Sequence, residues 1–322
     1  MSLHGRPKGE FRSAQHEGTA VNTIARPAAA AEQPAKPGDK LLVGLIGAGI
    51  QRSLTPAMQE EEARAQGLRL HYQLIDLDRH AQGADALPTL ISAARTMGFA
   101  GLNITYPCKQ AVIPLLDALS DEAQAMGAVN TVVFKGGLAT GHNTDGSGWR
   151  WGLERQLPGA RLSRVVLLGA GGAGSAIAHA ALRMGAHQLV LVDSDTARAG
   201  DLAERLNALY PGRRTSHTPD TAAALQGATG LVHATPTGMD KLPGLPLAAE
   251  LLRPDLWVSE IVYFPLQTEL LKTAAALGCK VSNGAGMAVG QAVGAFRHFT
   301  GREPDPARMQ AHMQALLARN SS

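Results

Sequence analysis

One short stretch constrains this chain more than any other. Arg164 to Leu168 reads as a strand, with the apolar run Val165-Val166-Leu167-Leu168. It enters Gly169-Ala170-Gly171-Gly172-Ala173-Gly174, and an alanine-rich segment of helical composition follows to Met184. The turn satisfies G-x-G-x-x-G between a strand and a helix. In such a turn Gly169 permits the tight bend, Gly171 lets the backbone approach a pyrophosphate, and Gly174 lets helix and strand pack closely. An anion then sits on the positive end of the helix. Asp193 closes the next strand, where a carboxylate accepts hydrogen bonds from ribose hydroxyls. A lone glycine motif is weak, and its bland reading is a turn used for packing. In this context it predicts a dinucleotide-binding α/β unit.

The rest of the chain repeats the strand-and-helix alternation. Strands are expected at Leu41–Ile46, Leu70–Leu77, Phe99–Ile104 and Thr131–Phe134, with helices at Ser53–Gln66 and up to about Met97. After Gly146 the strands are Arg164–Leu168, Gln188–Val192, Gly230–Ala234 and Leu256–Ile261, with helices at Gly172–Met184 and Thr196–Leu209. Two helices, about Gly286–Thr300 and Pro306–Arg319, end the chain and have no partner strand. Alternation of this kind builds mostly parallel sheets covered by helices. The expected fold is α/β with two domains, one parallel-rich and one Rossmann-like, with a cleft between them. Residues 41–145 joined by 285–319 would form the first domain and residues 146–284 the second. Residues 1–39 lack apolar periodicity and read as a disordered tail. Glu10, Glu17 and Glu32 argue against a transit peptide there.

Composition excludes several classes. At 322 residues and 45% hydrophobic, the chain holds enough apolar side chains for two cores. A net charge of +3 with 4% aromatic residues gives no footprint for nucleic acid. No apolar stretch approaches the roughly 18–20 residues of a membrane helix, and no signal-peptide apolar region opens the chain. The two cysteines, Cys108 and Cys279, make neither a disulfide framework nor a four-ligand zinc site. The expectation is a cytoplasmic monomer or homodimer acting on a small molecule, without metal.

A second glycine run, Gly47-Ala48-Gly49-Ile50-Gln51-Arg52, also follows a strand, and Asp76 ends the next one. Arg52 occupies the third glycine position, and Ser53, Thr55 and Pro56 crowd the turn. It reads as a polar substrate wall that also starts a helix, not as a nucleotide site.

Three polar segments lie outside the nucleotide motif: Asn103 to Lys109, Gly127 to Thr131, and Gly141 to Gly146. Loops at the carboxyl ends of strands are where open α/β sheets bind ligands. Alone, Lys109 reads as a surface lysine and Asp145 as a turn residue. Together with Thr105 and Asn143 they read as a site. These segments resemble the shikimate dehydrogenase family, and are most similar to its NAD-dependent quinate/shikimate branch. The match runs in order from Gly44 to Gly301. It takes in Ser53-Leu54-Thr55-Pro56, Asn143-Thr144-Asp145-Gly146, Gly169 to Ala173, Ala234-Thr235-Pro236-Thr237-Gly238-Met239, Val262-Tyr263, Asn283 to Met287 and Gln291.

The resemblance implies an oxidoreductase that moves hydride from the C3 ring hydroxyl of quinate or shikimate to NAD, giving the 3-dehydro acid. It implies Lys109 and Asp145 as the catalytic pair, and Ser53, Thr55, Thr105, Asn130, Tyr263 and Gln291 around the substrate. Around the cofactor it implies Gly169, Ala170, Gly171, Gly172, Ala173, Gly174, Asp193, Arg198, Thr235, Thr237, Val262, Gly284, Gly286 and Met287. The chemistry agrees, since oxidising an alcohol requires a group to take its proton and a carbon held against the cofactor. Which of Lys109 and Asp145 is formally the base stays open, because coupled groups titrate together.

Departures from the family pattern carry information. Where NADP-using members have an Asn-Arg-Thr-like run, this chain has Asp193-Ser194-Asp195-Thr196-Ala197-Arg198, and Thr55 replaces a serine. Both point toward NAD and quinate, although Arg198 offers a place for the 2′-phosphate of NADP. His233 sits where an asparagine is usual, and reads as a strand-end histidine that packs or caps. Cys108 and Cys279 read as packing residues. The competing readings are an NADP-dependent biosynthetic shikimate dehydrogenase, an aminoshikimate-type dehydrogenase, a methylene-tetrahydrofolate dehydrogenase and a non-catalytic sensor of NAD and a ring acid.

Overall fold

The structure is a computed structural model that describes residues 34–320. Residues 1–33 of the segment read as a tail lie outside the described residues. Residues 34–39 of that segment are not loose. The Ala35 N–H donates to the Thr300 carbonyl at 2.8 Å, and Ala35 packs beside Phe296.

The first sheet is built from β1 (Lys40–Gly47), β2 (Arg69–Asp76), β3 (Gly101–Ile104), β4 (Ala118–Leu119), β5 (Thr131–Lys135) and β6 (Leu138–His142). Helices α1 (Thr55–Ala65), α2 (Leu87–Thr96) and α3 (Asp121–Met126) connect them. The strand order is β2-β1-β3-β5-β6-β4, and β5 runs antiparallel to both its neighbours. Ile46, Leu102, Ile104 and Val112 fill its core and are almost fully buried.

The chain crosses to the second sheet through α4 (Asp145–Gln156). There follow β7 (Arg164–Leu168), α5 (Gly172–Arg183), β8 (Gln188–Val192), α6 (Thr196–Leu209), β9 (Arg214–His217), α7 (Thr221–Leu225), β10 (Gly230–His233), β11 (Trp257–Glu260), α8 (Glu269–Ala276) and β12 (Lys280–Ser282). The order is β12-β11-β10-β7-β8-β9 and every pairing is parallel. The strand order reverses between β7 and β10. In an open parallel sheet that reversal opens a crevice at the carboxyl ends of the two strands. The turns that begin at Gly169 and Ala234 lie there.

The last two helices, α9 (Gly284–Thr300) and α10 (Pro306–Asn320), return to α1. Met309 and Met313 of α10 join Leu54 and Met58 in one buried cluster. Glu62, wholly buried on α1, takes a two-pronged pair from Arg308, at 2.7 and 2.9 Å. A planar guanidinium matches a carboxylate in this way, so α10 is fixed in rotation as well as distance.

The α/β class, the parallel-rich sheets and most of the long elements match the expectations, several to the residue. The omissions were α3, α4, α7, α8 and the short strands β4, β6, β9 and β12. No helix among the described residues is long and apolar enough to cross a membrane.

Candidate active site

The site begins at the ends of β3 and β6. Lys109 stands in the loop beyond β3, and Asp145 is the first residue of α4, where a helix favours a negative group. The Lys109 Nζ donates to Asp145 Oδ2 at 2.5 Å, with the two side chains 17% and 5% exposed. Residues 36 positions apart meet because the backbone carries them together: the Val129 N–H donates to the Lys109 carbonyl at 2.8 Å.

Asp145 is held from its other side. Asn130 Nδ2 donates to Asp145 Oδ1 and to Thr144 Oγ1, each at 2.9 Å, and Asn143 Oδ1 accepts from the Asp145 N–H at 2.9 Å. Asn130 was expected to hold substrate. In the structure its amide hydrogens meet Thr144 and Asp145 and it is nearly fully buried, beside the catalytic pair. Thr144, which the sequence reading did not single out, bonds Gln291's carbonyl at 3.0 Å and ties α4 to α9. Its signal in the sequence is the Asn143-Thr144-Asp145 run itself.

The polar wall is the loop after β1. Asp76 accepts from the Gly49 N–H and from Gln51 Nε2, both at 2.9 Å, and from the Asp78 N–H at 3.1 Å. Burial raises that carboxyl, but these donors hold it below its ordinary value. Its oxygens brace the loop itself. A cavity of about 410 Å³ opens beside Gln51, Arg52, Ser53 and Leu54. Thr55 is buried at the start of α1 and its N–H meets Ser53 Oγ at 3.3 Å. Tyr263, from the second sheet's side, hydrogen-bonds Ser53. Burial pushes its phenol up and that bond partly offsets the push. Thr105 lies across the same loop, its methyl where a side chain on Gly47 would stand.

The nucleotide turn has the form the glycines imply. Gly169 has φ +99°, and a Cβ on Gly174 would lie 1.9 Å from the Gly169 carbonyl oxygen. A Cβ on Gly171 would meet open space, and no side chain caps α5 there. An open face at an uncapped helix start fits a pyrophosphate. A Cβ on Gly172 would crowd the Lys109 stem at 3.1 Å, so the turn and the lysine face each other across the cleft.

Asp193 differs from the simplest expectation. Its Oδ2 accepts from the Ala170 N–H at 2.6 Å, and its Oδ1 from the Asp195 N–H at 2.9 Å and Arg198 Nη2 at 2.7 Å. Burial raises this carboxyl too, yet Arg198 and the two amides hold it low. A carboxylate has about four lone-pair sites, so one on Oδ2 is left for a ribose hydroxyl. Gly284 and Gly286 also have packing reasons. A Cβ on Gly284 would meet the Ile261 carbonyl oxygen at 2.4 Å, and one on Gly286 would meet Gly152 Cα at 2.7 Å. Met287 is buried beside them. Thr235, Thr237 and Val262 sit just past β10 and β11, around the same crevice.

Cys108 is 1% exposed and burial pushes its thiol up, which suits packing and not attack. Among the described residues no group of three or more His, Cys, Asp or Glu side chains is set to hold a metal ion.

Family models match at two places: the shikimate dehydrogenase substrate binding domain over residues 45–132, and the shikimate 5'-dehydrogenase C-terminal domain over residues 284–314. A shikimate dehydrogenase (NADP(+)) of Streptomyces avermitilis is 58% identical, over 86% of this chain and 96% of that protein. The chain belongs to the shikimate dehydrogenase family. A quinate/shikimate dehydrogenase (NAD(+)) of Corynebacterium glutamicum is 49% identical, over 86% of this chain and 99% of that protein. Among solved structures, the quinate dehydrogenase of Corynebacterium glutamicum in complex with NAD superposes with a TM-score of 0.79 at 46% identity, over 86% of this chain and all of that one. As a family member the protein is an oxidoreductase.

Proposed function

We propose that the protein oxidises the C3 ring hydroxyl of quinate or shikimate to the ketone, with NAD as the preferred oxidant. The observation that carries the reading is the Lys109–Asp145 pair, 2.5 Å apart and facing the glycine turn across the cleft. In this reading residues 41–145 with 285–319 hold the acid and residues 146–284 hold the nucleotide. Ser53, Thr55, Thr105, Tyr263 and Gln291 surround the ring, and Asn130 acts on it through Asp145.

The residues around Gly169 fit a dinucleotide, for the reasons given above. Gly169–Gly174 would take the pyrophosphate, Asp193 the adenosine ribose, and Thr235, Thr237, Val262 and the start of α9 the nicotinamide end. Bound there, the nicotinamide supplies a hydride acceptor. The chain itself supplies position and proton transfer. Asp145 Oδ1 is fixed by Asn130, leaving Oδ2 to share a proton with Lys109 Nζ, and that pair receives the hydroxyl proton as the carbonyl forms.

NAD preference rests on charge. In this reading the 2′-phosphate of NADP would face Asp193 and Asp195, and like charges repel. Arg198 favours the second reading, NADP, because its guanidinium is 44% exposed and could turn to a phosphate. The test is kcat/KM for quinate and shikimate, each with NAD and NADP. The proposal expects turnover of both acids and the higher value with NAD. Equal or higher kcat/KM with NADP would overturn the cofactor assignment, and absence of quinate turnover would leave a shikimate-only enzyme. We further place the protein in the cytoplasm, as a monomer or homodimer.

A further inference from the structure

Glu260 and His233 are buried titratable side chains that the proton transfer above does not use. They are adjacent on the parallel strands β11 and β10, at the carboxyl ends that border the crevice. Both side chains are wholly buried. His233 Nδ1 lies 3.0 Å from each Glu260 oxygen, and His233 Nε2 lies 2.5 Å from Thr235 Oγ1. Glu260 Oε1 also accepts from the Val262 N–H at 2.9 Å, and Oε2 from Thr268 Oγ1 at 3.1 Å. Thr268 in turn caps α8. One carboxylate thus fastens three segments: the turn after β10, the turn after β11 and the start of α8.

We propose that Glu260, His233 and Thr235 form a positioning chain that sets the two turns holding the nicotinamide end of the cofactor. The proposal rests on the reading that this crevice binds NAD(P). An ionised carboxylate only accepts, so the proton at Nδ1 belongs to the imidazole and the ring is held in one orientation. Nε2 then fixes the rotor of the Thr235 hydroxyl, which stands half-buried beside the crevice. A threonine without that partner would sample its rotamers, and the turn would lose a tether. The position of the imidazole also explains the departure noted in the sequence. An imidazole has polar atoms on two edges and spans from the neighbouring strand to the turn, a longer reach than an asparagine amide has. Networks of this kind act as a unit in a low-dielectric interior, so their members are expected to be non-additive.

The experiment measures NADH dissociation constants by nicotinamide fluorescence, with Tm alongside, on the full chain. The variants are Thr235→Val, His233→Leu, the double variant and His233→Asn. Each of the first two weakens NADH roughly tenfold, which is about 1.4 kcal/mol. The double variant is no weaker than either alone, and His233→Asn recovers part of the loss. A double variant near the product of the singles, or a His233→Leu protein that loses Tm but keeps its NADH affinity, overturns the chain. Should His233→Leu fail to fold, ¹⁵N resonances of His233 give the same answer. Nε2 shifts when NADH is added to the wild type and does not shift in Thr235→Val; no shift in the wild type overturns the chain. Failure of the cofactor reading looks different, because then the wild type itself does not bind NADH.

Discussion

At the scale of single side chains, Lys109 and Asp145 owe their roles to neighbours. Asn130 holds one Asp145 oxygen, Asn143 holds its amide, and Gly172 leaves room for the lysine stem. Replacing Lys109 with alanine should lower kcat by roughly 10²–10⁴ while NADH affinity hardly moves. A variant within about threefold of wild-type kcat removes the lysine from the mechanism. His142, just before this site, supports a second prediction. It stacks on His298 with ring centres 4.0 Å apart. Burial first, then that neighbour, presses its imidazole down from 6.5 to about 4. The folded chain therefore binds this proton less readily than the unfolded chain. The resulting stability is complete above pH 6.5 and is lost as pH falls toward 4, about 2 kcal/mol by pH 5. The depressed carboxyls Asp76 and Asp193 contribute only below their ordinary 3.8, outside this window. His142→Phe keeps a stacked ring without the titration. Denaturant unfolding at pH 8 and pH 5 should differ less for the variant than for wild type; equal differences would sink the assignment. The catalytic pair was legible because both residues fall in polar runs after strands. Asn130 as an orienter was not, since sequence does not say which donor an aspartate oxygen meets. Glu260 had a signal in the sequence: a carboxylate at the end of a short strand buried on both faces needs partners.

Among elements, the crossing of α4 and α9 connects the two halves of the site. Their backbones nearly touch. A Cβ on Gly148 would lie 2.5 Å from the Gln291 amide nitrogen, and one on Gly290 would lie 2.7 Å from Gly148 Cα. Asp145 rides on one helix and Gln291 on the other, so this seam sets their separation. Gly148→Ala should cost about 1–3 kcal/mol, the usual range for overpacking, and lower kcat because the helices must part. Tm and kcat measured together check it, and a variant unchanged in both would show that the seam tolerates a methyl. The same seam explains why α4 was not legible. Gly146, Gly148 and Gly152 give it poor intrinsic helix propensity, and only tertiary contact gives them a reason: Gly148 and Gly152 meet α9, and Gly146 meets the Ala176 carbonyl of α5. Strand β7 was legible because both its faces are buried and four of its five residues, Val165 to Leu168, form an unbroken apolar run. Strands β6 (Leu-Ala-Thr-Gly-His) and β9 (Arg-Thr-Ser-His) carry polar residues through the run and leave no such pattern.

Across the whole molecule, charged side chains bridge the mouth of the cleft. Arg52, in the wall after β1, pairs with Asp240 from the loop after β10 and lies over the Phe264 ring at 4.1 Å. Lys241 of that loop reaches Asp78 at 2.9 Å. The chain makes other contacts between its halves at the opposite end, where His179 Nε2 meets the Ala125 carbonyl at 2.8 Å and Ser175 Oγ donates to the Met126 carbonyl at 2.5 Å. Those are buried and short, whereas the pairs at the mouth are half to three-quarters exposed. Exposed pairs are weak and screened by salt. The mouth is therefore the weaker edge and α3 against α5 the firmer one, and inter-domain motion that opens the mouth is the ordinary expectation for such an arrangement. The ions at the mouth then favour the closed cleft, and their loss should raise KM for the acid with less effect on kcat. Asp240→Asn with Lys241→Gln should raise KM by about two- to threefold at low salt, the scale that exposed pairs sustain. Added sodium chloride also screens the substrate carboxylate, so the discriminating quantity is the slope of KM against salt. That slope should be shallower in the double variant, because two of the screened contacts are already gone; parallel slopes would mean that these pairs take no part in closure.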